Sequence, residues 1–68
     1  MPTFLSDVPW EKLRVGQKVR SVLGNIGIIT KLFMDRGEPT IEIRWEGIEH
    51  SSVIYHYWGE HIIFEEKL

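Results

Sequence analysis

Residues 40 to 46 read Thr-Ile-Glu-Ile-Arg-Trp-Glu, so Ile41, Ile43 and Trp45 alternate without a fault with Glu42, Arg44 and Glu46. Successive side chains of a strand point to opposite faces, whereas a helix would scatter this set around its circumference. The segment therefore predicts a strand with one buried and one wet face. Gly27 to Met34 is apolar on both faces, as expected of a strand shared between packed sheets or bent across a barrel corner. With Lys18 to Leu23, Ile48 to His56 and His61 to Glu65, the pattern yields five short β segments in about fifty residues, which is barrel spacing.

The breaks between these segments have their own chemistry. Gly24-Asn25 predicts a tight turn, because both residues tolerate positive φ, and Gly27 just beyond allows a bulge or a close backbone approach. Asp35-Arg36-Gly37-Glu38-Pro39 predicts a polar loop in which Pro39 stops the strand from extending, and Glu46-Gly47 makes a third turn. Between the last two strands, Tyr57 to Glu60 leaves room for a single 3₁₀ turn. Near the N-terminus, Ser6 to Leu13 predicts one capped helical turn, with Ser6 or Asp7 accepting from free backbone N–H groups and Pro9 in a tolerated early position. Trp10 and Leu13, three apart, would share a face and plug one end of a barrel.

At 68 residues the chain has room for one domain, with its core between about 13 and 65, and it contains no cysteine to staple that core. A hydrophobic fraction of 43% against 26% charged residues excludes intrinsic disorder. No run of about 18 apolar residues occurs, which excludes a membrane-spanning helix. Met1 to Trp10 carries neither Lys nor Arg nor a sustained apolar run, so no secretory signal is expected and the expected address is the cytoplasm. The net charge of −2 argues against unspecific attachment to phosphate backbones. Charge is unevenly spread: residues 1 to 36 balance to +3, whereas residues 37 to 68 set Arg44 and Lys67 against seven glutamates. Opposite charges paired across neighbouring strands explain this better than a dipolar docking surface.

Val15-Gly16-Gln17-Lys18-Val19, Gly24-Asn25-Ile26-Gly27-Ile28-Ile29, Ile41-Glu42-Ile43-Arg44-Trp45-Glu46-Gly47 and His61-Ile62-Ile63 together resemble small SH3-like barrels of the KOW and Tudor type. The resemblance spans roughly residues 13 to 65 and rests on positions a small barrel needs for turning and packing. It implies an all-β fold, a small five-stranded SH3-like barrel with a short N-terminal helical turn. It also implies a non-catalytic binding module, since such barrels bind RNA, DNA, ribosomal or polymerase surfaces, methylated tails and other proteins. Two features depart from the pattern: nucleic-acid-binding KOW modules are usually basic, and the aromatic cage of Tudor domains cannot be assigned here position by position.

Candidate binding residues are the aromatic group Trp45, Tyr55, Tyr57 and Trp58, since amphipathic rings recur in binding hot spots. The alternative is that Trp45 and Trp58 fill the barrel and its rim. Lys18, Arg20, Lys31 and Arg44 beside exposed rings are the candidates for nucleic-acid contact. His50, His56 and His61 follow an H-x5-H-x4-H spacing that matches no compact metal motif, so no metal is expected. His56 or His61, near Glu60 and Glu65, could make binding pH-dependent. No cofactor is expected. Ser51-Ser52 beside His50 lacks a nucleophile turn, and Gly24-Asn25-Ile26-Gly27 is not followed by Lys-Ser/Thr, so no catalytic residue is assigned. The expected partner is another protein, through the aromatic rim or an edge strand. The alternatives are nucleic acid, or an assembly role as a homo-oligomer.

Overall fold

A computed structural model describes residues 3–65. Met1, Pro2 and residues 66–68 lie outside the described residues, and with them Lys67 and one glutamate of the acidic half. Six strands form one antiparallel sheet: β1 (Thr3–Phe4), β2 (Lys18–Ser21), β3 (Ile26–Asp35), β4 (Glu38–Trp45), β5 (Ser51–Tyr55) and β6 (Ile62–Phe64). Their order is β1-β6-β2-β3-β4-β5. The expected closed barrel of five strands is corrected in both respects, since there are six strands and the sheet is open, with β1 and β5 as its edges.

Three 3₁₀ turns follow the edge strands in the chain, Leu5–Asp7 and Trp10–Lys12 after β1 and His56–His61 after β5. Their N–H groups are engaged locally, as in Val8 N–H to Leu5 O at 3.2 Å and Leu13 N–H to Trp10 O at 3.1 Å, so they add no rung to the sheet. Gly59 of the third turn rests directly on the first: a Cβ there would lie 2.8 Å from Leu5 Cβ and 2.9 Å from the Ser6 backbone nitrogen. The expected single capped turn over Ser6 to Leu13 is thus two 3₁₀ turns, neither with a side-chain cap.

The core is formed by Leu5, Val8, Leu13, Val19, Ile29, Ile41, Ile43, Ile62 and Phe64, with Trp10, Leu32, Trp45 and Ile54 packed against it. Ile41 and Ile43 are fully buried, as their alternation requires. β3 keeps pace with β4 only by a bulge between Ile29 and Lys31, not at Gly27. Gly27 instead provides the close approach: a Cβ there would meet Trp45 Cε3 at 2.7 Å and Ile43 Cγ2 at 2.8 Å.

Two turn expectations change. In the first hairpin only Gly24 takes positive φ (98°), while Ser21 Oγ accepts from the N–H groups of Leu23 and Asn25. The Asp35 to Pro39 loop is a two-residue hairpin turn, with positive φ at Arg36 (53°) and Gly37 (80°), so β3 runs to Asp35 and Pro39 lies inside β4. Pro39 faces Met34, one pair beyond the closing pair Asp35–Glu38. In an antiparallel ladder that pair exchanges no N–H···O bonds, and β5 on the other side begins to pair only at Thr40, so the missing N–H leaves no gap.

Charged neighbours are complementary across the sheet. Lys31 faces Glu42, and Arg20 pairs with Glu65. Among the described residues no helix is long and apolar enough to cross a membrane.

Candidate binding surface at the β5 edge

Tyr55 ends β5 in an extended conformation, after which the chain winds into the third 3₁₀ turn. Three residues per turn eclipse positions i and i+3, which brings Trp58 back onto Tyr55. Their rings meet edge-on, with centroids 5.3 Å apart and planes at 76°. Tyr57 stacks on Tyr55 at 5.5 Å and 11°, and meets Trp58 edge-on at 6.0 Å. The three rings pack on one another as one aromatic platform. Tyr57 is 55% and Trp58 57% exposed.

Behind the rings, the Tyr55 hydroxyl donates a long 3.4 Å hydrogen bond to Asp35 Oδ2. The nearby Asp35 charge raises the Tyr55 pKa above its ordinary value, with burial and this hydrogen bond adding to the effect. Thr40, between Phe33 and Tyr55 across the strands, is buried, and its hydroxyl donates to Glu38 O at 3.0 Å.

Trp45, the fourth predicted ring, stands apart. It points inward with Ile41 and Ile43, covers Gly27, and its indole Nε1–H donates to Ser52 Oγ at 2.9 Å. That bond also occupies the second serine of the Ser51-Ser52 pair. Beside Trp45 a cleft of about 600 Å³ opens, walled by Ile26, Ile28 and Ile48 and by Lys18 and Arg44. β5 thus runs between two distinct features, the cleft near its start and the aromatic platform at its end.

The four candidate cations are dispersed. Lys18, Ile28, Arg44 and Ser51 form one row across β2 to β5, so Lys18 and Arg44 flank Ile28. Arg20 pairs with the Glu65 carboxylate, and Lys31 lies in the ladder opposite Glu42, whose carboxylate accepts from the Thr30 hydroxyl at 2.8 Å. The platform lies at the Tyr55–Thr40 row, four residues and about 13 Å along β4 from Arg44. Cations and rings are therefore not interleaved.

The histidines also separate. His56 lies 3.1 Å from Leu5 O through Nε2 and packs its ring on Trp10 at 5.7 Å, while His61 approaches Glu60 at 3.5 Å on an exposed turn. Among the described residues no group of three or more His, Asp or Glu side chains could hold a metal ion.

Sequence reasoning did not single out Ile28 and Ile48, half-exposed walls of the cleft. Ile28 faces Arg44 on the wet side of the sheet, a pairing that only the strand register reveals. Compared with known protein families, curated proteins and solved structures, the chain finds no match in any of the three.

Proposed function

We propose that this chain is a non-catalytic protein-binding module that takes an extended segment of a partner along β5 and anchors it on Tyr57 and Trp58. One observation carries the reading: two rings, each more than half exposed and braced by Tyr55, end an uncharged edge strand. An open edge supplies backbone hydrogen bonds to an added strand, and rigid aromatic anchors supply contact area at low entropic cost. The strand succession β6-β2-β3-β4-β5, with a 3₁₀ turn ahead of the last strand, supports an SH3-like arrangement of the KOW and Tudor type left open at β5. The pairing of Arg20 with Glu65, and the spread of the other candidate cations away from the rings, give nucleic-acid binding less support.

Selection of random displayed peptides on the folded domain tests this. Enriched peptides are expected to be β-prone, and Trp58→Ala and Tyr57→Ala should each weaken them at least tenfold with the amide spectrum otherwise kept, as hot-spot residues do. Peptides held equally well by both variants would sink the reading.

A further inference from the structure

The β5 edge is complementary to itself. Ser51, Ser52, Val53, Ile54 and Tyr55 carry no charge, no proline and no bulge, the devices by which natural edges discourage pairing, and Val53 is 56% exposed. When such a strand is laid antiparallel on its own copy with Val53 facing Val53, Ser51 meets Tyr55 and Ser52 meets Ile54. Each small side chain opposes a large one, and no like charges are brought together.

The flanks match under the same symmetry. The 3₁₀ turn holds Trp58 on Tyr55 at the end of β5, while the Trp45 cleft, lined by Arg44 opposite Ser51, lies at its start. A two-fold axis through Val53 sets the Tyr55 end of each copy beside the Ser51 end of the other, and so carries each exposed indole toward the other's cleft, a knob and a hole on one surface as an isologous interface requires. The electrostatics agree. Among the described residues the Arg44 side chain makes no hydrogen bond or ion pair, and its neighbour on β5 is the small Ser51. Across the axis the next residue in that row is Tyr55 of the second copy, whose hydroxyl leans on Asp35. Two strand spacings, about 10 Å, separate the two backbones, which an extended arginine and a tyrosine ring can bridge to place a cation against an electron-rich ring and a carboxylate.

From this self-complementarity we propose that the partner taken by β5 is a second copy of this chain, joined by antiparallel β5–β5 pairing about Val53 with Trp58 of each copy seated in the other's Trp45 cleft. The proposal rests on the reading of β5 as a protein-binding edge and names its occupant.

Analytical ultracentrifugation of the full chain over a wide concentration range, with isotope-filtered NOE spectra of a mixed labelled and unlabelled sample, tests it. The expected result is a concentration-dependent dimer with intermolecular Val53–Val53 and Trp58–Ile48 contacts. Trp58→Ala should weaken it at least tenfold, and Val53→Lys should leave a folded monomer with a dispersed amide spectrum. A dimer that survives Val53→Lys, or one whose filtered spectra lack those contacts, overturns the geometry. A chain that stays monomeric throughout overturns the proposal. In that case displayed peptides that still bind through Trp58 leave the binding-module reading standing, and their failure removes it too.

Discussion

The two edges of the sheet are built in opposite ways. β1 is two residues long and leads at once into Leu5 and Val8, both fully buried, so that edge is sealed by the core and by the third 3₁₀ turn lying on Leu5. β5 is five residues long, uncharged, and leads into two half-bare aromatic rings. Short edges are protected by having nothing to pair with, and long ones need charge, proline or a bulge. One edge has the first protection, and the other has neither. The contrast separates the part of the chain that holds the fold together from the part free to engage something else.

The largest effect should come from breaking the sealed edge. Leu5→Ala removes a fully buried side chain where the first and third 3₁₀ turns meet, and truncations of that kind cost about 2–5 kcal/mol. A chain of this size has little stability to spare, so chemical denaturation should show a variant unfolded or nearly so. An unchanged midpoint would mean that the turns do not belong to the core. Gly59→Ala probes the same contact from the other side. The added methyl meets Leu5 Cβ and the Ser6 backbone nitrogen, which cannot swing away, and such overpacking costs about 1–3 kcal/mol. It should lower the midpoint without changing the denaturant slope.

On the open edge the ranking reverses between stability and binding. Trp58→Ala gives up edge-on contacts with Tyr55 and Tyr57 on a surface already more than half wet, so its stability cost should stay at about 1 kcal/mol or below. Partner capture, read by titration with selected peptides or by self-association, should fall at least tenfold. If Trp58→Ala unfolded the chain as Leu5→Ala is expected to, the two edges would not differ in kind.

The comparison also shows what sequence patterning could reach. The alternation of Ile41, Ile43 and Trp45 with Glu42, Arg44 and Glu46 needs only a period of two, and the faces of β4 follow it. That pattern also assigned Trp45 to the core, so grouping it with the outer rings overrode a signal already present. The contact of Tyr55 with Trp58 was within reach once a 3₁₀ turn was expected there, because residues three apart eclipse. β1 was not, since Thr3 and Phe4 are too few to show a period and become a strand only through Ile63 and Phe64 at the far end of the chain. Nor could Pro39 be placed from its neighbours alone, because whether a proline interrupts a strand depends on where the next strand stops. The packing of Gly59 on Leu5 is nonlocal in the same sense, joining the third 3₁₀ turn to the first across more than fifty residues.

The smallest expected effect reads the junction where β5 meets the aromatic platform. Asp35 lies beside the Tyr55 hydroxyl, and its charge is the main reason the phenol resists ionisation. Ultraviolet titration should therefore find Tyr55 ionising above 10, and Asp35→Asn should bring it back toward that value. The sign for stability follows from linkage. A pKa raised in the folded state means that the native chain holds its proton more tightly than the unfolded one, so the contribution is intact below 10 and is lost as pH rises through the folded value. Wild type should thus lose stability on the alkaline side in a step that is smaller in Asp35→Asn. In a β5-paired dimer, Arg44 of the second copy would approach this phenol and oppose Asp35 by favouring the phenolate. Tyr55 should then titrate lower at concentrations where the chain self-associates than at high dilution, whereas a concentration-independent titration would place Arg44 away from that ring.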